Sequence, residues 1–321
     1  MILARTPFRI TLAGGGTDIP SFYEDHGGFV VSMAINKYIY VLVKKSLDAN
    51  VTMRYIENEV VESANLLSHD RAREVLLKNS VNKGVEIVSI ADLPSKSGMG
   101  SSGSFLVAMS AAIKSFKKEF YSLQDICKEA CDVEINQLNL PVGKQDQYIA
   151  AHGGIKTLDI SKSGEVEVHD ITDQIDFETL IQHMNVYKIG KYRNAADILA
   201  KQNNKNKNTQ RSLTHIKDMA SDFLHYLTTN KMDEYGKLLD TYWKEKKKLS
   251  NKISDPLIDN IYETAKQKYG VLGGKVLGAG GGGFLLLFAP PSNGLDQFMQ
   301  GHNMPKLNFN ISKTGLLVEE V

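Results

Sequence analysis

Three features of this chain could do chemistry together: a serine-bearing glycine loop, a pair of carboxylates, and an arginine inside an apolar run. The loop is PSKSGMGSSG, Pro94 to Gly103, between a strand-like run (85–90) and a helix-like run, Ser104 to Phe116. Glycines let the backbone approach a ligand closely, and the first N–H groups of a helix have no internal partner. The helix dipole adds partial positive charge at the same place, so such a junction is built to hold an anion. Ser101 and Ser102 add hydroxyls that suit phosphate oxygens or Mg²⁺. No Gly-Lys-Ser/Thr closes the loop, so it is not a Walker A loop but a phosphate-binding loop of another type.

The carboxylates are Glu134 and Asp146. In a helix read over 123–138, the apolar stripe of Ile126, Cys127, Ala130 and Cys131 continues to Glu134. A carboxylate on a buried stripe costs several kcal/mol unless it is paired or metal-bound. Glu134 as a Mg²⁺ ligand and Asp146 as a catalytic base would make a coherent pair. A surface helix acid and a turn acid are the plainer alternative. Arg9, in PFRITL, either points outward from a strand or serves a site. Arg193 follows a strand-like 185–189 and suits either a bidentate phosphate contact or a surface ion pair. His152 reads as a structural turn residue and Trp243 as packing between helices.

Elements must position these groups. Strands are expected at 39–43, with 51–55 as a plausible partner, and at 284–288. Helices are expected at 123–138, with Ser122 and Asp125 as a capping box, and at 213–229, 233–249 and 257–269. The run Lys244 to Lys248 reads as a solvated helix face, and the Asn/Lys tract 203–208 as an exposed loop. With 321 residues the chain is long enough for two lobes. A net charge of +1 gives no global field toward nucleic acid or membrane. There is no apolar run of transmembrane length and no signal-peptide pattern at the N-terminus, so a cytoplasmic location is expected. Cys127 and Cys131, the only two cysteines, read as small buried apolar residues.

Three glycine-rich segments recur in order: AGGGTD (13–18), GMGSSG (98–103) and GAGGGG (278–283). Each of the last two satisfies G-x-G-x-x-G, a weak signal alone. Neither joins an early strand directly to a helix as a dinucleotide fingerprint should, which disfavours an oxidoreductase. Together the three resemble the ordered motifs of the GHMP kinases, which include galactokinase, homoserine kinase, mevalonate kinase and phosphomevalonate kinase. The resemblance implies an α+β, two-lobe protein. Residues 1–175 would form a ribosomal S5 domain 2-like N-terminal lobe, and 176–321 a ferredoxin-like C-terminal lobe. It implies ATP and Mg²⁺, with the triphosphate on Ser97, Gly98, Met99, Gly100, Ser101 and Ser102, and Mg²⁺ at Ser102 and Glu134. Asp146 matches the catalytic acid, and Arg9 the basic residue that favours the ionised acceptor oxygen. Gly16, Thr17, Asp18, Gly280 and Gly281 fall on the substrate side. Gly103 stands where many members carry Ala.

Within the family, RTPFRITLAGGGTD, DLPSKSGMGSSGSF, VGKQDQYIAAHGG and GGKVLGAGGGGFLLLFAPP are most similar to a heptose branch. That branch phosphorylates the anomeric hydroxyl of D-glycero-D-manno-heptose 7-phosphate, giving the 1,7-bisphosphate for nucleotide-activated heptose and surface polysaccharide. The partners implied are a small sugar phosphate and ATP. Lys191, Arg193 and the Lys205/Lys207 loop are the candidates for the acceptor's own phosphate. Another sugar 1-kinase such as fucokinase, or a non-catalytic regulator on the same fold, are the alternatives. Oligomeric state is left open.

Overall fold

A computed structural model of the chain describes residues 1–190, 206–291 and 294–321. The larger sheet is built from β1 (Ile2–Ala13), β2 (Gly28–Lys45), β3 (Val51–Arg54), β4 (Asn58–Val61), β5 (Val85–Ala91), β6 (Ile155–Ile160), β7 (Val166–Asp170) and a late strand, β11 (Leu317–Glu320). Its order is β11-β1-β2-β5-β3-β4. The far side of the long β2 is shared: β6 pairs with its start, β5 with its end, and β7 lies outside β6. The 51–55 segment is a strand as expected, but its partner differs. It runs parallel to β5 and antiparallel to β4, not beside 39–43.

The helices of this lobe are α1 (Pro20–His26), α2 (Asp70–Lys78), α3 (Ser101–Phe116), α4 (Leu123–Asp132) and α5 (Gln145–His152). Helix α3 is apolar nearly all round, and residues Gly103 through Ile113 are all buried, as befits a central helix. It begins at Ser101, three residues earlier than the apolar pattern suggests. Two reciprocal contacts staple it to β1: Thr6 Oγ1 donates to Ser104 O (2.8 Å) and Ser104 Oγ to Pro7 O (2.8 Å). The expected 123–138 helix is α4, with both halves of the Ser122/Asp125 capping box present, but its regular part stops at Asp132. A π turn, Val133–Gln137, follows.

The second sheet is β8 (Met184–Ile189), β9 (Gly273–Val276) and β10 (Gly283–Phe288), ordered β8-β10-β9 and antiparallel. Residues 305–307 run along the free edge of β8, with Lys188 N donating to Pro305 O and Leu307 N to Val186 O. With that short edge the sheet has the ferredoxin-like order expected of this lobe. Its helices are α6 (Phe177–His183), α7 (Lys207–Thr228), α8 (Met232–Lys248), α9 (Pro256–Lys268) and α10 (Leu295–Gly301). The lobe boundary expected after residue 175 falls just ahead of α6, whose N-cap is Asp176. Strand β11 crosses back to pair with β1. Trp243 is buried, as are both free cysteines, and His152 closes α5.

The Lys244–Lys248 run does not behave as one solvated face. Lys244, Lys247 and Lys248 pair with Asp240, Asp259 and Glu245, but Lys246 is turned inward and buried. Five consecutive helical residues span more than a full turn, so one of them must face the core.

Candidate active site

Arg9 occupies the middle of β1, where the strand passes under the phosphate loop. Its backbone N–H donates to Met99 O (3.0 Å) and its Nη1 to Gly98 O (2.7 Å), tying strand to loop. The rest of the guanidinium faces Asp146, the second residue of α5. Both Nε and Nη2 reach Asp146 Oδ1 at 2.7 Å, which leaves Oδ2 out of the ion pair. Arg9 therefore points to the site, not to solvent: its side chain is 7% exposed, against 22% for Asp146.

Gly100 caps α3 with a left-handed backbone (φ 81°) and gives the first turn no side-chain cap. The N-terminal amides of α3 are thus presented to a cleft of about 900 Å³, lined on this side by Gly98, Gly100, Ser101 and Ser102. Ser97 and Met99 turn inward; Ser97 Oγ accepts from Met99 N (3.3 Å) and Met99 carries the carbonyl that holds Arg9. Gly103 packs against α5. A Cβ added there would lie 2.5 Å from the Asp146 Cβ and 3.1 Å from the adjoining backbone, which accounts for glycine at this position.

The third glycine segment supports the second. A Cβ at Gly278 would sit 2.6 Å from the Gly98 Cα, so the two loops touch backbone to backbone. Gly278 and Ala279 line the cleft; Gly280 and Gly281 do not. They lie against Ile253, with Gly281 N donating to Ile253 O (2.8 Å), and the substrate-side expectation moves from that pair to their two predecessors.

Next to Asp146, at the start of α5, Asp18 accepts from Gln145 N (3.0 Å), Gln145 Nε2 (3.3 Å) and Gly16 N (3.2 Å). Burial pushes its carboxyl above the usual range despite those donors. Gly16 lines the cleft beside it, whereas Thr17 is buried and holds the turn through Gly14 O and Phe29 O.

Glu134 sits in the π turn, an element that re-aims a side chain. It is buried and held by Arg71 Nε (2.9 Å) and Gln147 Nε2 (2.7 Å), with Ser102 also hydrogen-bonded to it. Burial raises its pKa, with Arg71 and Ser102 opposing. A carboxylate and a hydroxyl are hard oxygen donors of the kind Mg²⁺ takes alongside phosphate and water. Among the described residues no cluster of three or more His, Cys, Asp or Glu could hold a metal by itself.

Beyond the phosphate loop, Tyr55, His69 and Phe105 line the cleft in a row, with ring centroids 4.8 Å and 5.0 Å apart. This aromatic wall suits a flat ring. Burial holds the His69 imidazole below its usual pKa. Arg193, Lys191 and Lys205 lie outside the described residues. Lys207 opens α7 and is exposed.

The phosphate loop, Asp146 and the third glycine turn fall within the ranges of two family models that match this chain. The GHMP kinases N-terminal domain model matches residues 58–154 and the GHMP kinases C-terminal model residues 223–300. The chain belongs to the GHMP kinase family. Like other GHMP kinases it is a phosphotransferase by fold, and ATP is the family's phosphoryl donor. This GHMP kinase is 27% identical over 314 residues to D-glycero-alpha-D-manno-heptose 7-phosphate kinase of Campylobacter jejuni, covering 91% of this chain and 90% of that protein. It is 25% identical to the L-fucokinase/L-fucose-1-P guanylyltransferase of Bacteroides fragilis, of which it spans 34%. Among solved structures, a D-glycero-D-manno-heptose 1-phosphate kinase from Bacteroides thetaiotaomicron superposes with a TM-score of 0.80 at 21% identity, over 100% of this chain and 99% of that one.

Sequence reasoning missed Arg71, Lys246 and Lys275 in this GHMP kinase. Arg71 lies between the first and second glycine motifs and gives no periodic signal. Lys246 is masked by its charged neighbours. Lys275 stands three residues ahead of the GAGGGG turn, a position that could have drawn notice as a lysine inside an otherwise apolar strand.

Proposed function

We propose that this protein transfers the γ-phosphoryl group of ATP to the anomeric hydroxyl of a sugar, with D-glycero-D-manno-heptose 7-phosphate as the acceptor and the 1,7-bisphosphate as product. The observation that carries the reading is the Arg9–Asp146 pair at 2.7 Å, set at the uncapped N-terminus of α3 with Asp18 held beside it on Gln145. Full-length similarity to the Campylobacter heptose phosphate kinase supports the acceptor.

Asp146 orients the acceptor hydroxyl through Oδ2 and takes its proton. Arg9, anchored on Oδ1 and on Gly98 O, keeps the carboxylate in place and lends positive charge to the oxygen as it ionises. A new bond forms between that oxygen and the γ-phosphorus while the bond from the γ-phosphorus to ADP breaks. The amides of α3 and the hydroxyls of Ser101 and Ser102 receive the phosphate oxygens. Asp18 accepts from sugar hydroxyls. Ser102 and Glu134 are the residues that would hold Mg²⁺, which when bound neutralises charge on the phosphates. The aromatic wall of Tyr55, His69 and Phe105 takes the adenine. Most of the acceleration then comes from positioning and charge neutralisation.

Similarity to 34% of a bifunctional L-fucokinase/L-fucose-1-P guanylyltransferase favours a second reading, an unphosphorylated sugar as acceptor. A coupled ADP-release assay with Mg·ATP separates the two. The acceptors are D-glycero-D-manno-heptose 7-phosphate, sedoheptulose 7-phosphate, L-fucose, galactose, mevalonate and homoserine. Turnover on the heptose phosphate alone is expected. Turnover on fucose or galactose instead would replace the acceptor. ATP binding with no turnover on any of them would favour a regulator.

A further inference from the structure

Lys275 lies on β9, is 2% exposed and lines the cleft, yet its Nζ has no hydrogen-bond partner. It lies over the face of Tyr242, with Nζ 4.6 Å from the ring centroid. Lys246, from α8, is buried beside it and donates to the backbone carbonyls of Val276 (3.0 Å) and Gly278 (2.6 Å). Among the described residues, the charges that act on Lys275 are those of Lys246 and Arg9, and the charge that acts on Lys246 is that of Arg9. Desolvation and like charge together push the Lys275 pKa well below its usual value. A buried ammonium that lacks both a counter-ion and an acceptor costs several kcal/mol, a cost that a bound anion removes.

The place of this charge indicates which anion. Tyr242, the ring that Lys275 faces, directs its hydroxyl at Gly15 O (3.5 Å), in the first glycine segment, and feels the charges of Asp18 and Arg9. Lys275 thus stands on the acceptor side of the cleft. The triphosphate has its own receptor in the amides of α3 and in Ser101 and Ser102. We infer that Lys275, seated on the Tyr242 ring and backed by Lys246, is the anchor for a phosphate group carried by the acceptor itself, and so selects phosphorylated over neutral sugars. This rests on the kinase reading above for the identity of the acceptor, but the anion site stands on its own geometry.

The test compares wild type with Lys275→Met and Lys275→Gln. Binding is read by calorimetry without nucleotide, using D-glycero-D-manno-heptose 7-phosphate, the unphosphorylated heptose and inorganic phosphate. Turnover is read with both heptoses. Removing an unpaired buried charge should leave the melting temperature at or above that of wild type, so either variant will serve as a folded probe. The expected result is a loss of ~30-fold or more in affinity and KM for the sugar phosphate, the worth of a charge-assisted contact of about 2 kcal/mol. Affinity for neutral heptose, kcat and the KM for ATP should stay within about threefold, the scatter expected for a site not touched. Unchanged sugar-phosphate affinity, equal losses on both heptoses, or a raised KM for ATP would each overturn the inference, the last by assigning Lys275 to the triphosphate. Loss of phosphate binding in a protein whose wild type turns over no acceptor would uphold the anion site and remove the kinase reading. An unchanged kcat/KM on the heptose phosphate in both variants would do the reverse.

Discussion

Asp146 takes both of its Arg9 contacts on one oxygen, which makes losing its charge separable from losing its shape. Asp146→Asn keeps an oxygen for Arg9 but cannot accept a proton. It should lower kcat by ~10²–10⁴-fold, the usual range for a general base, with nucleotide affinity kept. Single-turnover kinetics beside a nucleotide titration check this; near-normal turnover in the folded variant would remove Asp146 from the mechanism. Ser102→Ala should raise the KM for Mg·ATP, because its hydroxyl is the one that reaches both the phosphate side and Glu134. An unchanged nucleotide KM would count against that role. Lys246 carries a prediction of a different kind. Burial, with Arg9 adding like charge, pushes its pKa down to about 7 from the usual 10.5. Below that range both folded and unfolded states hold the proton and the burial cost is felt in full. Between the two values the unfolded chain binds more protons, so this group's contribution to stability rises with pH. In phosphate-free buffer, the melting temperature of wild type minus that of Lys246→Met should increase from about pH 6 to about pH 9. A constant difference would mean that the ammonium is not desolvated. None of this was readable from the run KEKKK, because a charge-rich helix segment carries no mark of which residue faces inward until its neighbours are placed. Asp146 and Arg9, by contrast, stood in ordered motifs, and the fold brings them together.

At the scale of elements, the site depends on how closely α5 approaches α3. Gly103 permits that approach: a Cβ there would meet the Asp146 Cβ at 2.5 Å and the backbone of the next residue at 3.1 Å. Gly103→Ala should therefore cost ~1–3 kcal/mol of stability, as overpacking does. It should also lower kcat/KM by roughly tenfold or more through displacement of the base. Urea unfolding and steady-state kinetics read the two effects, and a variant unchanged in both would show that α5 can yield. The reason for the glycine was not visible in the sequence; it lies in the helix–helix distance. The π turn at Val133–Gln137 was hidden for a related cause. The apolar periodicity of 123–138 reads as one helix, and the extra residue in the turn shows only where Glu134 is drawn onto Arg71 and Gln147. The capping box and the three C-terminal amphipathic helices were legible because they rest on local spacing alone.

Across the whole molecule, the cleft is made by segments far apart in the chain: the first glycine turn, the phosphate loop, α5, α8 and the third glycine turn. Gly278 meeting Gly98 joins the C-terminal lobe directly to the phosphate loop, so the cleft is lined from both lobes. The glycine motifs announced this architecture through resemblance, whereas the pairing of β3 with β5 and the return of β11 to β1 are long-range choices that no local pattern encodes. The account's central claim is that the pair at the mouth of the loop directs a phosphoryl group onto the anomeric oxygen of a phosphorylated heptose. The most direct test is ³¹P NMR of the product formed from Mg·ATP and D-glycero-D-manno-heptose 7-phosphate. The account predicts a second sugar phosphorus resonance, coupled to the anomeric proton, growing as ADP appears, with the original phosphate signal retained. ADP release without a new sugar resonance, or a new phosphorus coupled to a proton elsewhere on the ring, would contradict it.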